Sequence, residues 1–155
     1  MIEQKLERKI LDKFQALFAA AAPDAEIQYI GSLQVSEARA IEDDSACVFT
    51  VHVNPRGYDS PMVPTCAITC TISLAVRADA DPTGALYTSL MNAALNQLNS
   101  WQGCMQDVHE EFDIADEFTL AGFRLAEGAT PLDTNKQIWT YAHSFELQGV
   151  VTEAN

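Results

Sequence analysis

Three sets of residues in this chain are of types that do chemistry: three histidines, four cysteines and one crowded run of acids. A nucleophile with its base needs Ser or Cys, His and usually a carboxylate brought together. His52 falls on the polar side of an alternating strand pattern, and His143 among aromatic residues on the apolar side of another, so both read as surface or packed side chains. No Gly-x-Ser-x-Gly elbow, phosphate-cradling glycine loop or His-Glu-x-x-His pair occurs. Acyl transfer, nucleotide hydrolysis and zinc proteolysis therefore have no direct support, and no catalytic residue, cofactor-binding residue or cofactor is assigned.

Asp107, His109, Glu110, Glu111, Asp113, Asp116 and Glu117 form the best candidate for a divalent ion, because hard cations favour clustered carboxylate oxygens. The run lacks the glycine-centred spacing of a calcium loop, and a solvated acidic loop is the plainer reading, so no metal ligand is assigned. A carboxylate pair for glycoside cleavage is available from the same residues, but the separation that identifies such a pair is not a property of sequence. Cys66 and Cys70 are four apart in an alternating strand, ~13 Å at the usual rise, too far for one disulfide or one tetrahedral metal. Placing Cys47 opposite Cys70 in a hairpin would give a cross-strand thiol pair, reduced in a cytoplasm. Otherwise the cysteines, Cys104 included, are small core hydrophobes.

The elements that must position these residues are well marked. Ile2, Leu6, Ile10, Phe14, Leu17, Phe18 and Ala21 recur at helical spacing, with Glu3, Lys5, Glu7, Arg8, Asp12 and Gln15 on the other face and Pro23 as the stop. A short strand over Ile27 to Val35, interrupted by Gly31, is followed by a second over Ala46 to Val53. From Thr65 to Arg77 the alternation is complete: Cys66, Ile68, Cys70, Ile72, Leu74 and Val76 share one face, and Thr, Ala and Ser fill the other. Residues 54–64, with three prolines, are too long for a tight hairpin and read as a protruding arm or an irregular loop. Asp79 or Asp81 is placed to cap a helix bearing Leu86, Leu90, Ala94 and Leu98, widened by Tyr87, Met91 and Leu95 and ended near Gly103. Strands over Phe118 to Ala126 and Ile138 to Val151 close the chain. The order α-β-β-β-α-β-β describes an α+β fold, a single mostly antiparallel β-sheet with two α-helices packed on one face, and 155 residues suit one domain.

Twenty-two acids against nine bases give a formal charge of -13, which repels nucleic-acid phosphates and anionic lipid. Lys5, Arg8, Lys9 and Lys13 gather on the first helix, where they read as an exposed face with Glu7 alongside. No run reaches the ~18–20 apolar residues that span a bilayer. The charged start of the chain lacks a following signal core, so a cytoplasmic protein is expected.

The opening amphipathic helix, the strand pair around a long arm, the helix beginning near Pro82 and the closing hairpin together resemble phage tail terminator and tail-completion proteins, the head–tail joining group. The segment Phe123-Arg124-Leu125-Ala126-Glu127-Gly128-Ala129-Thr130-Pro131, followed by Ile138-Trp139-Thr140-Tyr141-Ala142-His143-Ser144-Phe145-Glu146-Leu147, looks like that group's final strand pair. The resemblance covers most of the chain through element order and size. It implies a structural role without enzymatic activity: a ring, commonly a hexamer, that caps the tail tube and joins it to the head. The implied partners are copies of the chain itself, tail-tube proteins and head–tail connector proteins, with no membrane and no sequence-specific nucleic acid. The implied location is the host cytoplasm during assembly, then the virion tail. On this reading the arm docks partners through Arg56, Tyr58, Met62 and Val63, side-chain types enriched at interfaces. The alternatives are a metal- or small-molecule-binding α+β domain or enzyme using the acidic 107–117 region, and an acidic mimic of nucleic acid that binds a basic protein.

Overall fold

The computed structural model describes residues 2–33, 46–54, 65–126, 128, 132–133 and 137–152. Within them the order is α1 (Ile2–Ala21), β1 (Gln28–Gly31), β2 (Cys47–Val53), β3 (Thr65–Arg77), α2 (Ala85–Gly103), α3 (Met105–Phe112), β4 (Phe118–Leu125), β5 (Leu132–Asp133) and β6 (Ile138–Val151). The strands form one sheet in the order β1-β2-β3-β6-β4, with the two-residue β5 paired to the start of β6. All pairings are antiparallel except β1 with β2, which run parallel. The fold is α+β, as the patterning predicts, with a mixed sheet and three helices where the sequence suggests two.

The centre of the sheet is the pair β3 and β6, registered from Thr65↔Val150 to Arg77↔Ile138. Their alternation sends Ile68, Cys70, Ile72 and Leu74 to the same side as Leu147, Phe145, His143 and Tyr141. The three helices cover that side. From α1 it receives Ile2, Leu6, Ile10, Phe14 and Phe18, and from α2 Tyr87, Leu90, Ala94, Leu98 and Trp101.

Aromatic rings tie these pieces together. Phe49 lies 5.2 Å from Phe14 and 5.0 Å from Phe18, Phe14 meets Trp101 edge-on at 5.9 Å, and Trp101 meets Phe112 at 4.9 Å. Edge-on and offset pairs add to the burial of such large side chains. The chain of contacts links all three helices to the sheet.

Helix α3 has only Val108 and Phe112 as buried anchors, four residues apart, which is why the sequence reads as an aperiodic acidic stretch. Helix α2 begins after Gly84, whose φ of 72° is open to glycine and awkward for other residues. Asp81 is the capping acid: its two carboxylate oxygens accept the N–H groups of Leu86 at 3.2 Å and Tyr87 at 2.8 Å. Near the end of β6, Gly149 lies under Phe118, and an added Cβ there would come within 2.6 Å of the ring and 2.7 Å of the Thr119 carbonyl oxygen.

Two expectations for α1 are corrected. Glu3 and Glu7 do not face solvent; Glu7 is 0% exposed, because its carboxylate is consumed by hydrogen bonds to the end of β1. Ala21 is exposed, while Leu11 is buried.

Candidate functional site

The best-organised polar cluster of the described residues lies around Ser32, Leu33 and Asn54, beside the ends of β1 and β2. From α1, the Gln4 side-chain amide donates to the Leu33 carbonyl at 2.9 Å, and Glu7 accepts the Leu33 N–H at 2.8 Å and the Ser32 hydroxyl at 3.0 Å. His52 of β2 continues the chain, with Nδ1 2.8 Å from the Ser32 hydroxyl and Nε2 2.6 Å from the Asn54 side-chain oxygen. The Asn54 N–H in turn donates to Thr69 of β3 at 2.9 Å. Helix α1 is thus tied to Ser32 and Leu33 after β1 and, through His52, to Asn54 after β2.

Ser32, His52 and Asn54 have the mutual distances of a nucleophile, a base and its orienting group. They lack the rest of the machinery. The Ser32 hydroxyl donates to Glu7, and the two nearest main-chain N–H groups, those of Ser32 and Leu33, already donate to Val51 and Glu7. Among the described residues, neither of these two N–H groups remains for an oxyanion. The cluster is a structural tie in which a buried carboxylate is satisfied by two donors.

His143 is equally committed. It is 4% exposed; Nε2 donates to the Ala126 carbonyl at 2.6 Å, so Nδ1 accepts from the Tyr141 hydroxyl, also at 2.6 Å. Burial pushes the Tyr141 phenol up to about 12, with Tyr87 adding to the effect. Gly128 lies so close to the imidazole that a Cβ would come within 2.8 Å of Nδ1. The ring pins the chain that leaves β4.

The acids of 107–117 disperse once α3 forms. His109 and Asp113 pair at 3.1 Å across one helical turn, and the other Asp113 oxygen accepts the Leu120 N–H at 2.7 Å. Glu117 holds Lys5 of α1 at 2.5 Å, and Gln106 donates to Glu110 at 3.4 Å. Asp107 is exposed in the first turn of α3, Glu111 is half-buried, and Asp116 sits in the following turn at φ 65°. Among the described residues no three His, Cys, Asp or Glu side chains converge in a way that could hold a metal ion.

All four cysteines are unbridged thiols. The proposed pairing of Cys47 with Cys70 is incorrect: Cys47 lies opposite Val76, and Cys70 opposite Val53, because β2 and β3 pair six residues out of that register. Burial pushes Cys47 up to about 11, with Asp81 contributing, and pushes Cys70 higher still, with Glu7 contributing.

The side of the sheet turned away from the helices is the other candidate. Thr50, Thr71, Ser73, Ala75, Thr140, Ala142 and Ser144 form its middle, with a hydrogen bond of 2.8 Å between the Thr71 and Ser144 hydroxyls. No described helix covers it. Of the acids whose side chains are described, Glu146 alone occupies a strand position, opposite Arg124 in register. Arg77 marks the far end and pairs with Asp79 at 3.1 Å. Among the described residues this side of the sheet therefore carries almost no net charge, in a chain whose formal charge is -13. Arg56, Tyr58, Met62 and Val63 lie outside the described residues.

These features define an α+β domain with a three-helix layer on one side of a mixed sheet and a charge-poor plane on the other. No protein-family model matches the chain, and no curated protein matches it. No described helix is long and apolar enough to cross a membrane.

Proposed function

We propose that this protein is a structural virion assembly protein that forms a ring capping the phage tail tube and joins it to the head. The reading begins from the resemblance in element order and size, and the observation that carries it further is the open sheet face. Protein interfaces are distinguished by depletion of charge at their centre, with Arg admitted. The stretch of this face from Thr71 and Ser144 to Ala75 and Thr140 has no charged side chain; Glu146 and Arg124 lie opposite each other one same-face step beyond Ser144, and Arg77 stands at the far end. A heterologous contact made there and repeated by rotation closes a ring. The acidic remainder of the chain suits a lumen through which DNA passes without adhering.

The polar clusters fit the same role. Glu7, Asp81, Asp113 and His143 each hold main chain in place, which is the work of a scaffold. The arm is the second contact of this proposal, and its base is the segment tied by His52 and Asn54. Tyr58→Ala with Met62→Ala is expected to weaken ring formation or tail docking while the circular-dichroism melt stays in place.

Negative-stain microscopy of the purified chain tests the assignment. Single rings are the expected image. Stacked tubes would make the chain a tail-tube subunit, and dispersed monomers at every concentration, with or without tails, would remove the proposal.

A further inference from the structure

The open sheet face is not the only charge-poor surface. From Pro82 to Gln106 the chain has no Asp, Glu, Lys or Arg, although charged residues make up 20% of the whole. Helix α2 lies entirely within that run. A fifth of its 19 residues would be about four charges, and it has none.

The buried stripe of α2, Tyr87, Leu90, Ala94, Leu98 and Trp101, points into the core. The opposite stripe, including Thr88, Asn92, Asn96 and Asn99, is exposed. Solvated helix faces ordinarily alternate charges of both signs. This one presents short amides and hydroxyls, edged by the half-buried Leu86, Met91 and Leu95.

The uncharged stripe and the charge-poor sheet face lie on opposite sides, since α2 packs on the core side of the sheet and turns its exposed stripe outward. Copies of a chain at -13 repel one another wherever their acids meet, so close approach costs least where both partners lack charge. We infer that the exposed stripe of α2 docks against the open sheet face of a second copy of this chain. The contact is heterologous, joining two different patches; it closes a ring where each step also rotates the next copy, and without that rotation it extends into a filament. The helix fits within the length of the face: α2 spans ~28 Å at the usual helical rise, against ~43 Å for β3 at the usual strand rise. This inference rests on the ring proposal and names the two surfaces that make the ring.

A charge exchange tests it by sedimentation velocity over a range of concentrations. Asn92→Glu with Asn96→Glu on α2 is expected to weaken self-association by about tenfold or more, because unpaired charge enters the contact. Thr71→Lys with Ser73→Lys on the sheet should weaken it as much, although added Lys lowers the overall repulsion. The quadruple variant should recover association to within about threefold of wild type, as opposite charges now meet. If the Thr71 and Ser73 pair fails to fold, Thr140→Lys supplies the sheet-side charge.

Double variants that associate like wild type, or a quadruple variant with no recovery, overturn the pairing of these two surfaces while wild-type rings leave the assembly role standing. A wild-type chain that never associates overturns both.

Discussion

Phe49, Ile72, Leu74 and Phe145 vanish beneath three helices, whereas their immediate neighbours Thr50, Ser73, Ala75 and Ser144 lie beneath none of the described ones. Both sets hang from one hydrogen-bonded ladder, so the contrast arises entirely from which way each alternate residue points. The core side holds its rings, thiols and buried carboxylates at fixed distances. The open side is short-chained and uncharged from Thr71 and Ser144 to Ala75 and Thr140. Stability and assembly should therefore separate along a single strand, with residues on one side governing melting and residues on the other governing association.

The largest effect expected on the core side is at Trp101, which contacts Phe14, Phe112, Phe123 and Phe145. Trp101→Ala should lower the unfolding free energy by about 3–5 kcal/mol, read from urea titration. Glu7→Ala should cost about 1–3 kcal/mol in the same measurement, since it leaves the Leu33 N–H and Ser32 hydroxyl without their acceptor. An unchanged midpoint would mean that the tie at the arm base is dispensable.

Thiol chemistry sharpens the comparison at smaller scale. Cys47, Cys66 and Cys70 are buried and Cys104 is partly exposed, so iodoacetamide at neutral pH should label Cys104 first and the others only on unfolding. The Cys47 thiol is pushed up to about 11 from 9, and the Tyr29 and Tyr141 phenols up to about 12 from 10, each chiefly by burial. Groups whose folded value is raised contribute stability that is complete below the unfolded value and disappears as pH climbs through the folded one. Melting temperature should accordingly fall between about pH 9 and 12, the window those shifts define. On the open side Thr71→Ala, which removes the hydrogen bond to Ser144, should cost about 0.5–1 kcal/mol, the smallest effect of the series.

Much of the scaffold was legible in the residues. Strict alternation gave β3 and β6 their observed ends, and the apolar stripe of α2 was evident from Leu86 to Leu98. Helix α3 was hidden because two apolar anchors in eight residues make no period. Parallel pairing of β1 with β2 was equally hidden, since it depends on a connection whose path no local pattern encodes. Burial of Glu7 had a faint signal: it falls beside Leu6 and one turn before Ile10 and Leu11, on the margin of the apolar stripe. The clearest missed cue was the uncharged run from Pro82 to Gln106, which only gains meaning once α2 is seen to turn one stripe outward.

Ser73 sits in the middle of β3 between Thr50 and Ala142 on the open side, far in character from the packed core. Sedimentation velocity of Ser73→Glu, run beside a thermal melt, asks most directly whether this plane is where copies meet. Loss of the assembled species with an unchanged melting temperature is the predicted result. Assembly indistinguishable from wild type would contradict it.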